Sequence, residues 1–143
     1  RQNVMSLPEG TDYQQTRKGA YIVTGSDEQY DVILVASGSE VSTCVEGAGL
    51  LRKDGVKVRV VSAPSEGLFR RQSKEYQEQI LPRDAKIFGL TAGLPVTLEG
   101  LVGANGKVYG LNSFGFSAPF KVLDEKLGFN PENVYKQVKA FLA

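Results

Sequence analysis

Two short, mainly apolar segments stand out along the chain: Asp31–Ala36, which is continuous from Val32, and Val58–Ala63, which also contains Arg59 and Ser62. Aliphatic and β-branched residues without polar alternation are typical of strands that are covered on both faces. Between the runs, one apolar stripe at helical spacing consists of Val41, Cys44, Val45, Ala48 and Leu51. We predict a helix there, with Ser39 as its N-cap and a stop at Gly55. The three elements form a βαβ unit.

The rest of the pattern predicts alternating strands and helices. Further strands are expected at Gly19–Val23, Lys86–Thr91 and Lys107–Leu111, and helical segments at 65–80 and 95–102. Of two closing helices, the first is predicted to be capped by Ser117 and to bury Phe120, Leu123 and Leu127. The second is predicted to have Asn130 as N-cap, Pro131 in its first turn, and the apolar face Val134, Val138 and Phe141.

Together these elements predict an α/β fold, a three-layer α/β/α sandwich around a mostly parallel sheet of about five strands. Residues 1–18 are polar and aperiodic and are predicted to be an interdomain connecting arm, with residues 19–143 forming one α/β domain. The chain begins with Arg1 and not with methionine. We therefore expect it to be a piece of a longer protein.

Composition excludes several function classes. Seventeen basic and sixteen acidic residues leave a net charge of +1, which gives no electrostatic reason to expect a nucleic acid or a membrane as partner. The apolar runs are far too short for a membrane helix. The one cysteine cannot form an internal disulfide, and we expect a cytoplasmic protein. Because histidine is absent from the sequence, the commonest acid–base catalyst and metal ligand is missing.

Few residues stand out as candidates for chemistry. The turn Ser37–Glu40 precedes a helix, where phosphates often bind, but it lacks the glycine spacing of dinucleotide and phosphate loops, so helix capping is favoured. Cys44 lies on an apolar stripe and is expected to be a packing residue. The aromatic residues Phe114 and Phe116 flank a glycine and are expected to cover a hydrophobic neighbour or a partner chain. On these grounds alone the function stays open.

Six segments of the chain, in order, resemble the C-terminal domain of transketolases. They are Arg1–Asn3, Gly19–Tyr21, Ala36–Val41 (Ala-Ser-Gly-Ser-Glu-Val), Val58–Ser65 (Val-Arg-Val-Val-Ser-Ala-Pro-Ser), Phe114–Pro119 (Phe-Gly-Phe-Ser-Ala-Pro) and Leu127–Val134 (Leu-Gly-Phe-Asn-Pro-Glu-Asn-Val). The resemblance extends over essentially the whole chain. The chain departs from the family pattern at Thr91, where many members have glutamate, and at Leu98 and Leu101, where aromatic residues are usual.

The resemblance implies a fold and a context. The family's last domain is a three-layer α/β/α sandwich, and the whole enzyme moves a two-carbon ketol unit between sugar phosphates. Thiamine diphosphate and a divalent metal, magnesium or calcium, are bound by other domains of what is expected to be a homodimer. This domain is then structural and interface-forming, with no catalytic, cofactor-binding or metal-binding residue of its own. By the same resemblance, Arg1 would contact the substrate's phosphate in the intact enzyme.

Two other hypotheses remain. The chain could be the last domain of a related thiamine-diphosphate enzyme, either a deoxyxylulose-phosphate synthase or the β subunit of a 2-oxo-acid dehydrogenase. Alternatively, it could be an independent regulatory module that binds an anion at the helix N-terminus after Gly38. The turn Ser-Glu-Val and the loop Ser-Ala-Pro favour the transketolase hypothesis.

Overall fold

The computed structural model describes residues 5–25 and 29–143. A 3-10 helix, Tyr13–Lys18, precedes the first strand. The strands are β1 (Tyr21–Thr24), β2 (Val32–Ala36), β3 (Val58–Ser62), β4 (Ile87–Leu90) and β5 (Lys107–Tyr109). The helices are α1 (Glu40–Lys53), α2 (Glu66–Arg70), α3 (Lys74–Ile80), α4 (Val96–Val102), α5 (Phe120–Leu127) and α6 (Pro131–Leu142).

The five strands form one sheet in the order β1-β3-β2-β4-β5. Strands β2, β3, β4 and β5 are parallel, while β1 pairs antiparallel with β3 at one edge. Every residue of β2 and β3 is buried, as expected for strands with helices on both faces. This confirms the predicted α/β architecture.

Each face of the sheet builds its own core. Alternate side chains of β2, such as Leu34, pack with α1 and α6, whose buried contributions include Leu51 and Val138. The intervening ones, such as Ile33, pack on the opposite face with α2, α3 and α4, where Phe69 is buried. The two cores and the sheet between them make the three layers.

Local capping chemistry is confirmed for α6. The Asn130 side chain accepts a hydrogen bond from the Asn133 backbone amide at 2.8 Å, and Pro131 occupies the first turn. Val134 and Val138 are buried, while Phe141 is half-buried against the core. Asparagine at the N-cap and proline at the first helical position fix the start of this helix.

The predicted capping of α5 is wrong. Pro119 occupies the N-cap position in place of Ser117, and within this fully described helix no residue is buried. Phe120 is 37% exposed, and Leu123 and Leu127 are only half-buried. Proline fixes the backbone directly before the helix and leaves the serine two residues too early to cap it. The helix therefore lies on the surface of the domain with much of its apolar side uncovered.

The segment before the domain is held against it. Leu7 is half-buried against the core on the α1 side, and the Lys18 ammonium lies 4.6 Å from the centre of the Tyr76 ring. At Gly19 the backbone has φ +86°, and a Cβ there would lie 2.3 Å from the Phe69 nitrogen and 2.4 Å from the Ser65 oxygen. Only glycine permits both that conformation and that approach. The boundary at residues 18 and 19 stays a prediction.

Candidate functional site

The carboxyl edge of the parallel strands is where α/β sheets usually bind ligands. The chain leaves β2 toward β3 on one side and returns to β4 on the other, so the strand order reverses between β2 and β4. Ala36 pairs with Leu90, which brings the residues after both strands to the same edge. The turn Ser37–Glu40 follows β2, and the loop of residues 91–95 follows β4 and leads into α4.

The turn after β2 is not shaped as an anion cradle. Ser39 occupies the N-cap position of α1 with φ −64° and ψ −29°, and among the described residues its side chain makes no capping hydrogen bond. Its hydroxyl donates instead to the Glu40 carboxylate at 2.8 Å. Capping requires an extended backbone, so the predicted side-chain cap is wrong. The Glu40 charge already occupies the helix N-terminus, and it would repel a phosphate there.

Cys44 is confirmed as a packing residue. Its side chain is fully buried in the core between the sheet and α1. Burial raises the pKa of the Cys44 thiol far above its usual value, and the nearby Glu40 charge raises this pKa further. Because the thiolate is the reactive form, this cysteine is not a nucleophile.

The loop after β4 is joined to the loop after β5. The Leu111 amide donates to the Gly93 carbonyl at 2.9 Å, and the Thr91 amide donates to the Tyr109 carbonyl at 3.0 Å. The Thr91 hydroxyl accepts a hydrogen bond from the Gly93 amide at 3.1 Å. Thr91 is therefore a turn-forming residue that carries no charge to this edge of the sheet.

Exposed apolar side chains gather at the two joined loops and at α5. We call Leu94, Val96, Phe114, Phe116, Phe120 and Val122 the apolar edge. Phe114 is 97% exposed, Phe116 68% and Val96 63%. Beside them an open cavity of about 480 Å³ is lined mainly by apolar groups, among them Leu111, Phe116 and Phe120. Large exposed aromatic residues of this kind commonly mark a contact surface.

Sequence reasoning found part of this surface. The exposure of Phe114 and Phe116 agrees with their predicted role at a contact. Leu94, Val96 and Val122 were missed, and Phe120 was assigned to the core. A signal was present, because Phe120 and Val122 are two residues apart and cannot share one face of a helix.

One ion pair lies within helix α2. The Arg70 guanidinium lies 2.6 Å from the Glu66 carboxylate and donates to the Gly100 carbonyl at 2.9 Å. Throughout residues 5–25 and 29–143, no group of three or more histidine, cysteine, aspartate or glutamate residues is placed to hold a metal ion. In the same ranges, no buried side-chain nitrogen or oxygen lacks a hydrogen-bond partner. No helix there is both long and apolar enough to cross a membrane.

Comparison with known proteins decides the family. The profile of the transketolase-like TK C-terminal domain matches residues 19–130, which is most of the chain. The chain belongs to the transketolase C-terminal domain family. This confirms the resemblance recognised in the six segments, and its α/β fold is that of the solved transketolase structures it resembles.

Relatives of this transketolase C-terminal domain are much longer proteins. The transketolase of Staphylococcus epidermidis is 45% identical over 143 residues, covering 98% of this chain and 22% of the relative. Among solved structures, the Pichia stipitis transketolase in complex with sedoheptulose-7-phosphate superposes with a TM-score of 0.90 at 30% identity, covering 99% of this chain and 20% of that one. The Campylobacter jejuni transketolase superposes with a TM-score of 0.80 at 34% identity, covering 96% of this chain and 20% of that one. The chain thus spans about a fifth of their length.

Two departures of this transketolase C-terminal domain from the family pattern are packing substitutions. Leu98 and Leu101 are both buried, in the core between the sheet and α4. Arg1, the predicted phosphate-binding residue, lies outside the described residues. Its role stays a prediction.

Proposed function

We propose that this chain is the C-terminal domain of a transketolase, a thiamine-diphosphate enzyme that transfers a two-carbon ketol unit between sugar phosphates. The collinear similarity of almost the entire chain to proteins named transketolase carries the proposal. The related thiamine-diphosphate enzymes and the independent anion-binding module are not favoured, because the relatives and structures found are transketolases.

In this proposal the domain supports chemistry that the other domains perform. Thiamine diphosphate and its divalent metal, magnesium or calcium, need carboxylate and carbonyl ligands that converge on one point. The described residues do not fit such a site, because they contain no cluster of acidic groups and their buried polar side-chain atoms are already paired with one another or with the backbone. We therefore assign no step of the reaction to this chain and expect it to have no catalytic residue. We also propose that the parent enzyme is a cytoplasmic homodimer.

A domain exchange tests this function. The segment of Staphylococcus epidermidis transketolase that aligns with this chain, at 45% identity, would be replaced by the chain. With thiamine diphosphate, magnesium, xylulose 5-phosphate and ribose 5-phosphate, we expect the chimera to transfer the ketol unit and the isolated chain to give no product. The control is the relative truncated before the exchanged segment. A folded chimera without activity, or measurable transfer by the isolated chain, would contradict the proposal.

Arg1 has a specific role in this proposal, contact with the phosphate of the sugar substrate. A guanidinium group offers phosphate a planar fork of donors, and a charged hydrogen bond contributes about 1.5–3 kcal/mol. In the chimera, Arg1→Gln should therefore raise KM for a sugar phosphate by roughly 10- to 100-fold. Arg1→Lys should show a smaller rise, because lysine is a point charge. An equal rise in KM for an unphosphorylated sugar would exclude phosphate recognition.

A further inference from the structure

The apolar edge holds most of the large apolar side chains that the domain leaves in solvent. Of the nine such exposed residues in the described part of the chain, six lie between Leu94 and Val122. They come from two loops that are hydrogen-bonded to each other through Leu111 and Gly93, from the first residue of α4 and from the start of α5. Their clustering on neighbouring elements distinguishes them from single exposed hydrophobic residues, which are common on any surface.

The domain itself holds this segment weakly. Among the described residues, the Leu111 amide bonds to the Gly93 carbonyl, and the next backbone hydrogen bond outside helices and strands is that of the Val122 amide to the Pro119 carbonyl. Residues 112–121 thus donate no such bond to the rest of the domain. Helix α5, which is fully described, has eight residues and buries none of them. An isolated helix of that length is not stable in water, so its order depends on packing. The core of the domain supplies only part of that packing, through the half-buried Leu127.

The cavity beside the apolar edge has the form of a socket. It lies between the start of α1 and α5, is open to solvent, and has Leu123, Leu127 and Phe129 among its lining residues. The charged residues of α5 carry both signs, with Lys121 and Lys126 against Asp124 and Glu125. A matching surface would therefore place apolar side chains at its centre and charges of both signs at its rim.

We propose that the apolar edge is the surface on which another domain of the same transketolase polypeptide packs, with an apolar side chain of that domain in the socket. This proposal rests on the proposed function. The relatives carry the equivalent of this chain in only 22% of their length, so most of each polypeptide is available as a partner in cis. Contacts between domains of one chain typically bury about 600–1,500 Å², which six side chains on two loops and a helix can supply. An obligate homodimer interface is usually larger, at roughly 2,000 Å² or more.

Hydroxyl-radical footprinting tests the proposal directly. The oxidation rates of Phe114 and Phe116 would be measured by mass spectrometry in the isolated chain and in the Staphylococcus epidermidis chimera. Leu68, which is 41% exposed on α2, serves as the reference. We expect both phenylalanines to be oxidised at least about threefold more slowly in the chimera, because the centre of an interface excludes water. The rate at Leu68 should be the same in both proteins.

Several results would overturn the proposal. Equal oxidation rates in the two proteins would mean that the apolar edge stays exposed in the longer chain. If the oxidation rates of Phe114 and Phe116 in the isolated chain fall as its concentration rises, a second copy of the chain is the occupant. If the chimera does not fold, calorimetric titration of the isolated chain into the truncated relative replaces footprinting. The proposal would then be supported if the double variant Phe114→Ser/Phe116→Ser binds about tenfold more weakly or worse. The control variant Leu68→Ser should bind as tightly as the unchanged chain. Lack of binding, or equal effects, would refute it.

The two proposals fail separately. An inactive chimera in which Phe114 and Phe116 are protected would contradict the proposed function and leave the packing surface in place. An active chimera in which both phenylalanines are fully exposed would support the proposed function and contradict the packing surface.

Discussion

Helices α1 and α6 are in close contact at Gly47, and this contact allows a quantitative test of the packing. A Cβ atom at Gly47 would lie 2.8 Å from Cγ1 and 3.0 Å from Cβ of Val134. Val134 is 1% exposed, and a β-branched side chain in a helix has essentially one rotamer, so it cannot turn aside. The substitution Gly47→Ala therefore forces the two helices apart.

The expected magnitude follows from two opposing effects. Alanine in place of glycine within a helix stabilises by up to about 1 kcal/mol. Overpacking a buried site by one methyl group costs about 1–3 kcal/mol. Gly47→Ala should thus lower the free energy of unfolding by roughly 0–2 kcal/mol. Gly49 provides a matched control in the same helix, because a Cβ there meets no heavy atom of the described residues within 4 Å.

The difference between the two variants removes the helix-propensity effect. We expect Gly47→Ala to be about 1–3 kcal/mol less stable than Gly49→Ala, in urea denaturation of the isolated chain followed by circular dichroism. In a Val134→Ala background the contact with Cγ1 is removed and only the 3.0 Å contact with Cβ remains. Gly47→Ala should therefore destabilise this background less than the wild type, which a double-mutant cycle would show. If Gly47→Ala proves as stable as Gly49→Ala, the close approach of the helices does not exist.

Three further predictions concern single groups. Asn130→Ala should lower the free energy of unfolding by about 1 kcal/mol, whereas Ser39→Ala, whose side chain does not cap, should change it by less than half as much. Hydrogen bonds from Tyr135 and then Lys139 hold the pKa of the Asp54 carboxyl below its usual 3.8. The stabilisation by ionised Asp54 is therefore present at neutral pH and is lost as pH falls through this lowered pKa. The difference in free energy of unfolding between wild type and Asp54→Asn should shrink below pH 3.8. A difference that stays constant with pH would refute this prediction. Cys44, whose pKa is raised by burial, should react with a thiol reagent at pH 8 only after denaturation; labelling of the folded chain would contradict its burial.

Local chemistry explains which elements could be predicted from the sequence. Strand β2 follows from an unbroken apolar run and β3 from one that is rich in valine, and the start of α6 follows from Asn130 and Pro131, whose preferences act within one turn. Ser39 shows the limit of such reasoning, because the residue type favours capping but its backbone dihedral angles do not. Ser39 follows Gly38, whose backbone has φ +60°, and residue preferences alone do not specify the conformation of this turn.

Tertiary packing accounts for what the sequence could not reveal. Helix α5 has the apolar spacing of a core helix, yet none of its residues is buried and Phe120 is 37% exposed. Whether an apolar stripe is covered depends on what lies opposite, and periodicity contains no information on that. The antiparallel direction of β1 is likewise a property of its pairing with β3. At the candidate site, Phe114 and Phe116 could be selected from their residue types, but their neighbours Leu94 and Val96 could not.

Gly19 turns the boundary before the first strand into a fixed elbow. Its amide bonds back to Thr16 and its carbonyl receives the Ser65 amide, both at 3.0 Å, while its missing side chain leaves room for the backbone of α2. The 3-10 helix is therefore fixed in orientation relative to α2, because it cannot rotate without breaking these bonds. A larger residue at this point would push the backbone of Gly19 away from Phe69 and so change the direction in which the preceding helix leaves the domain.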